Sequence, residues 1–64
     1  MKLSLKAYRV NAHLTIKEAS AIAEVHESTI ARWEKDAESF KKASLESVMK
    51  LANAYGVSID DLTP

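Results

Sequence analysis

Apolar residues recur at intervals of three and four along most of this chain, which is the spacing of helices that bury one face. The first helix is predicted over residues 2–11, where Leu5 and Tyr8 lie on one face and Leu3 flanks them. The basic residues of this segment lie largely on the other face: Lys2, Lys6 and Arg9. The segment is therefore predicted to be an amphipathic helix.

A second helix is predicted over about 15–23 from a start signal and a stripe of apolar residues. Thr15 is followed three positions later by Glu18, a capping box in which each side chain accepts a hydrogen bond from a free backbone N–H group. The residues expected to be buried are Ala19, Ile22 and Ala23. The small residues on this helix would allow another helix to approach closely.

After a short break the periodicity resumes in a third helix, predicted over about 27–35. The spacing directs Ile30 and Trp33 inward. The residues predicted to point outward are Glu27, Ser28, Ala31 and Arg32. His26 precedes this helix in a polar cap position.

Residues 36–43 show no clear period and are predicted to form the longest loop, anchored by Phe40. Ser44 then caps a fourth helix of about 12 residues. Gly56 ends that helix in the left-handed C-terminal position. The apolar positions of the fourth helix are Leu45, Val48, Leu51, Ala52 and Tyr55.

A last helical turn around Ile59 and Leu62 is predicted because Ser58 and Asp61 form a weaker capping pair. The chain has one glycine and one proline, which favours helix over strand throughout. Together the elements predict an all-α fold, a compact five-helix bundle that forms a single domain over residues 1–64.

Composition narrows the classes of function. The chain has no cysteine and two histidines, so no metal or cofactor is predicted. Nine basic and nine acidic residues give a net charge of zero, so a nucleic-acid surface would have to arise from where the charges lie.

No apolar run approaches the roughly 20 residues that cross a bilayer, and we expect a cytoplasmic protein without membrane contact. No nucleophile with a neighbouring base and no glycine-rich phosphate loop is present, so no enzyme is predicted.

The joint between the second and third predicted helices is the most informative feature. Two short helices separated by a turn of three or four residues, with Val25 filling the turn, form a helix-turn-helix arrangement. The third helix would then project an outer face that is narrow enough to enter a DNA major groove about 12 Å wide.

The stretches LTIKEASAIAEVHESTIARWEK and SLESVMKLANAYGVSIDDL resemble the Cro and phage-repressor helix-turn-helix family, also called XRE-like or lambda-repressor-like. The resemblance covers about residues 5–62. It implies a lambda-repressor-like DNA-binding domain with a central helix-turn-helix. It also implies a prokaryotic or bacteriophage transcriptional regulator, of the repressor or Cro type, that binds a specific sequence of double-stranded DNA.

The resemblance implies a role for each matching position. Base contacts are expected from Glu27, Ser28 and Arg32. Phosphate contacts are expected from residues at the start of the second helix, on the third helix and after it: Thr15, Ile16, Lys17, Thr29, Lys35, Lys41 and Lys42. Arg9 and Glu34 match a family pair that forms an ion bridge between the first and third helices.

Some positions depart from the family pattern. Ile16 stands where a glutamine is common, Glu24 and His13 stand where glycine is common, and the loop 36–43 is longer than usual. A left-handed conformation at Glu24 would cost about 1 to 2 kcal/mol relative to glycine. The Glu27 carboxylate can accept from cytosine N4 and is repelled by phosphate, so it either specifies a cytosine or weakens binding.

One small domain touches few bases, so we expect a homodimer on a two-fold-symmetric operator, formed before or upon DNA binding. The last helix would make the dimer contact through exposed Val57, Ile59 or Leu62. Two alternatives remain open. The protein could be a DNA-binding antitoxin with a toxin partner, or a protein-interaction module that has lost DNA binding. A protein partner, if there is one, is expected to be a toxin or an antirepressor.

Overall fold

A computed structural model describes residues 3–63. Over that range the chain forms six helices and no strand, which confirms the predicted all-α class with one helix more than expected. The helices are α1 Leu5–Asn11, α2 Ile16–Ala23, α3 Glu27–Lys35, α4 Ala37–Lys41, α5 Leu45–Tyr55 and α6 Ile59–Leu62. None of these helices is long and apolar enough to span a membrane.

Helix α1 is shorter than predicted because it begins at Leu5 and not at residue 2. Ser4 is in an extended conformation, and its hydroxyl accepts a hydrogen bond from the Ala7 N–H at 3.1 Å. A side chain that satisfies this free N–H group is a helix start signal. This cap was not predicted, and the predicted position of Lys2 on the polar face lies outside the described residues.

The other predicted caps are confirmed. The Thr15 hydroxyl accepts from the Glu18 N–H at 3.1 Å, and the Glu18 carboxylate accepts from the Thr15 N–H at 2.9 Å. The hydrogen bond from the Thr15 backbone N–H to the carboxylate lowers the pKa of Glu18, and the Thr15 side chain adds to the shift, because both stabilise the charged carboxylate. Ser44 caps α5 and Gly56 ends it with a φ of 69°, which is the left-handed conformation. Ser58 begins α6.

The predicted loop over residues 36–43 is wrong, because it contains α4. Asp36 lies at the end of α3 and at the start of α4. Its N–H donates to the Arg32 carbonyl at 2.8 Å and closes α3, while its carboxylate accepts from the Glu38 N–H at 3.1 Å and starts α4. Phe40 anchors the segment as predicted, with its ring centroid 5.3 Å from that of Trp33.

The buried side chains of the described residues form one hydrophobic cluster. Helix α5 runs against α1, α2 and α6, and α3 packs on α1, α2 and α4. The cluster consists of Leu5, Ala19, Ala23, Ile30, Trp33, Phe40, Val48, Leu51, Ala52, Tyr55 and Leu62. This core holds α2 and α3 at the surface of the same body.

Three apolar predictions are corrected by the packing. Ile22 is exposed, because it lies about 100° around the helix from Ala23, beyond the face that α5 covers. Leu45 is also exposed, since it is the first residue of α5 and lies at the edge of the core. Leu62 is fully buried and not exposed, because α6 packs back on α5.

Candidate nucleic-acid interface

Helices α2 and α3 are joined by only three residues. Helix α2 ends at Ala23, and Glu24 adopts the left-handed conformation with a φ of 56°. Val25 is partly buried against the core, and His26 is the N-cap of α3. The left-handed residue turns the chain so that the two short helices pack against each other. This is the helix-turn-helix geometry that the sequence predicted.

Helix α3 has a buried face and an exposed face. Ile30 and Trp33 are buried as predicted, and the Trp33 ring packs on Phe40 of α4. The exposed residues are Glu27, Ser28, Ala31, Arg32 and Lys35. Because positions three and four apart lie side by side on a helix, Ser28, Arg32 and Lys35 form one line with Glu27 and Ala31 beside it.

A bidentate ion pair fixes α3 to α1. The Arg9 Nε lies 2.7 Å from Glu34 Oε2, and Arg9 Nη2 lies 3.1 Å from Oε1. The remaining Arg9 Nη1 donates to the Leu14 carbonyl at 2.9 Å. Both side chains are about nine-tenths buried, with 11% and 8% exposed. The hydrogen bonds that Arg9 donates to the Glu34 carboxylate raise the pKa of Arg9, because they stabilise its charged form.

The first turn of α3 contains a side-chain contact that the sequence pattern did not predict. His26 Nδ1 accepts a hydrogen bond from the Ser28 N–H at 3.1 Å, which confirms the predicted cap. The same nitrogen also lies 2.8 Å from the Ser28 hydroxyl oxygen. The signal in the sequence is a cap residue with a hydroxyl two positions later, where both groups of Ser28 reach one acceptor.

The residues expected to contact phosphates at the start of α2 differ in their exposure. Thr15 and Lys17 are exposed, and Thr15 is engaged in the capping box. The Ile16 side chain packs against the core, so it can offer a phosphate only its backbone N–H. Such N–H groups in the first turn have no partner within the helix and can bind a phosphate oxygen.

The remaining candidates lie on α3 and α4. Lys35 and Lys42 are exposed, and Thr29 is half-buried in the first turn of α3. Lys41 forms an exposed ion pair with Glu38 at 3.1 Å. An exposed pair of this kind is weak, so it leaves Lys41 available to another anion.

A family model described as helix-turn-helix matches residues 5–62, which is nearly the whole chain. The chain therefore belongs to the helix-turn-helix family of the XRE and lambda-repressor-like kind and is a DNA-binding regulator. No curated protein matches the chain, and neither does any solved structure.

Proposed function

We propose that the protein binds a specific sequence of double-stranded DNA as a bacterial or bacteriophage transcriptional regulator of the repressor or Cro type, acting in the cytoplasm. The observation that carries this proposal is the exposed face of α3, with Glu27, Ser28 and Arg32 on a helix held by a buried ion pair. A rigid helix with polar side chains on its outer face fits a major groove. In this proposal α3 is the recognition helix.

The side chains of α3 have complementary chemistry toward base edges. Arg32 can donate two parallel hydrogen bonds to guanine O6 and N7, a contact worth about 1 to 3 kcal/mol of discrimination. Glu27 can only accept when ionised, so it favours cytosine N4 and disfavours a close phosphate. We therefore assign guanine selection to Arg32 and cytosine selection to Glu27.

Phosphate contacts would set the position of α3 without selecting a base. The candidates are Thr15, the Ile16 N–H, Lys17, Thr29, Lys35, Lys41 and Lys42. Because the net charge of the chain is zero, this local placement of lysines has to supply the attraction. Removing one such contact, as in Lys17→Ala, would lower the slope of log affinity against log salt by about 1 and leave base preferences unchanged.

The test of this function is selection of duplexes from a random DNA pool at moderate salt. The native protein is expected to enrich a two-fold-symmetric site. Arg32→Ala should lose a guanine preference by about 10-fold or more, since the bidentate contact is gone. Glu27→Gln should lose a cytosine preference in the same site, because the amide also presents donors.

Lys6→Ala is the matched control for charge, because Lys6 is exposed on α1. It removes one positive charge and should leave every base preference unchanged. Failure of the native protein to enrich any duplex at any salt would contradict the proposal. It would favour the alternative of a protein-interaction module that has lost DNA binding, and co-purification would then identify the partner of that module. The antitoxin alternative keeps DNA binding, and co-purification of a second small protein with a DNA-binding chain would support it.

We further propose that a second copy of the chain completes the operator complex. An apolar groove beside α5 and α6 would form the dimer contact, and it is lined by Leu45, Met49, Ala52, Asn53, Val57 and Ile59. Leu45 and Met49 of this groove are 67% and 55% exposed, so the groove presents an apolar patch to solvent. A groove that packs against its own copy satisfies the symmetry of a two-fold site.

Met49→Glu should weaken binding to the full symmetric site and leave binding to a half-site unchanged, because it places two charges in the dimer contact. Gel-shift titrations on full-site and half-site duplexes measure both affinities. Met49→Leu keeps an apolar side chain of similar size and should retain full-site binding. Equal full-site affinity for the Glu variant and the native protein would exclude this groove as the dimer contact.

A further inference from the structure

The contact between His26 and Ser28 determines which way the serine hydroxyl points. His26 Nδ1 lies 3.1 Å from the Ser28 backbone nitrogen and 2.8 Å from the Ser28 Oγ. Both residues are exposed at the start of α3. The hydroxyl is therefore bonded to a cap within its own helix while its outer side remains open.

The chemistry of the two contacts assigns the hydrogens. A backbone N–H group can only donate, so His26 Nδ1 must carry a lone pair and no proton. A serine oxygen 2.8 Å from that lone pair would be repelled unless its O–H points at the nitrogen. The Ser28 hydroxyl therefore donates to His26 Nδ1. The hydroxyl hydrogen is then occupied by this bond, and Ser28 can offer a base only the lone pairs of its oxygen, as an acceptor.

We propose that His26 fixes Ser28 as a hydrogen-bond acceptor, so that α3 selects an exocyclic amino group at the base that Ser28 faces. This inference rests on the proposed function. In the major groove the amino groups are adenine N6 and cytosine N4, whereas thymine O4 and guanine O6 and N7 only accept. A free serine hydroxyl could serve either kind of base, and the histidine removes that freedom.

His26 is thus a positioning residue, and it acts on specificity through Ser28. Glu27 presents an acceptor beside it, and Arg32 presents donors one turn further along. The recognition helix then has acceptors in its first turn and a donor in its second. The corresponding half-site has bases with amino groups at one end and a guanine at the other.

The experiment begins with the site enriched from the random pool by the native protein. The base position that Ser28 faces is the one whose preference changes in Ser28→Ala. Duplexes with each of the four base pairs at that position are then titrated. The native protein should bind the adenine and cytosine duplexes about 5-fold more tightly than the thymine and guanine duplexes, the size of one hydrogen bond.

His26→Ala should reduce that preference to less than about 2-fold, because the freed hydroxyl can donate or accept. His26→Asn is the conservative rescue, since its Oδ1 can take the place of Nδ1, and it should restore the preference. In the Ser28→Ala background, His26→Ala should change no preference. Loss of the cap alone would weaken all four duplexes equally, so the preference separates positioning from stability.

The outcomes distinguish this inference from the function on which it rests. If no duplex is enriched, both fail. If a site is enriched and Arg32→Ala loses its guanine, but Ser28→Ala changes no base preference, only the inference is overturned. The inference is also overturned if His26→Ala keeps the preference for adenine and cytosine at the position that Ser28 faces. Circular dichroism verifies that each variant is helical, and the Ser28→Ala result stands even if His26→Ala does not fold.

Discussion

Tyr55 is the buried side chain whose polar atom is least satisfied. The residue is 5% exposed, and its hydroxyl has no hydrogen-bond partner among residues 3–63. Burial raises the pKa of Tyr55 to about 12, and the negative charge of Glu34 adds to the shift. The tyrosine therefore contributes its ring to the core, while its hydroxyl carries a desolvation cost.

Tyr55→Phe should raise the free energy of unfolding at neutral pH by about 1 kcal/mol, because it removes an unpaired buried hydroxyl. The native protein keeps this proton in the folded state above the ordinary tyrosine pKa of 10.0, so its stability is intact below pH 10 and falls as pH rises toward 12. The phenylalanine variant should not lose this stability between pH 10 and pH 12, because it has no hydroxyl to ionise. Urea unfolding at pH 7 and across the alkaline range measures both effects.

Tyr8→Phe is the control, because Tyr8 is only partly buried. Its free energy of unfolding at neutral pH should not exceed that of the native protein. A loss of stability in Tyr55→Phe would mean that the hydroxyl has a structural role.

The turn between α2 and α3 holds a strained residue. Glu24 has a φ of 56° and a ψ of 39°, a region that glycine adopts without cost. Its carboxylate is exposed and lies 3.8 Å from Lys50 of α5, which also pairs with Glu46 at 3.4 Å. Exposed pairs of this length contribute little, so they do not offset the strain. The turn that positions α3 is therefore not at its most stable.

Glu24→Gly should stabilise the fold by about 0.5 to 1 kcal/mol, because the relief of left-handed strain exceeds the added chain entropy of glycine. Glu24→Ala is the matched control: it also removes the carboxylate but keeps the strain, and it should not stabilise. Thermal unfolding of both variants measures the difference. A glycine variant no more stable than the alanine variant would show that the turn is unstrained.

The Arg9 and Glu34 pair connects α1 to α3 and so affects the whole molecule. Its two charges are withdrawn from water and are bonded to each other and to the Leu14 carbonyl. A buried pair of this kind is costly to break from one side and adds little net stability compared with an apolar replacement. Its value in this protein is the fixed position of α3 relative to α1.

Glu34→Ala should destabilise the fold by about 3 kcal/mol and weaken DNA binding, because it leaves the Arg9 charge buried without its partner. The double variant Arg9→Met with Glu34→Leu should recover most of that stability, since no buried charge remains. Chemical unfolding and titration with the selected duplex measure the two properties. If Glu34→Ala had the same stability and the same DNA affinity as the native protein, the ion pair would not be what holds α3 in position.

Short-range signals in the sequence were sufficient to predict most of the helices. Thr15, Ser44, Ser58 and Gly56 mark boundaries because a cap satisfies backbone groups within three or four residues of itself. The exposed face of α3 could also be predicted, since the three- and four-residue spacing of its apolar side chains lies within the helix itself. Helix α4 was missed because five residues are too few to show a helical period, although Asp36 is a recognisable cap.

Only the tertiary structure decided which apolar residues at the edges of the predicted faces lie in the core. Periodicity predicts which side chains share a face, but not how much of that face a neighbouring helix covers. Ile22 and Leu45 are therefore exposed and Leu62 is buried, contrary to prediction. The direction of the Ser28 hydroxyl was equally beyond the sequence, because it depends on a 2.8 Å contact that the backbone creates when the turn and α3 fold together.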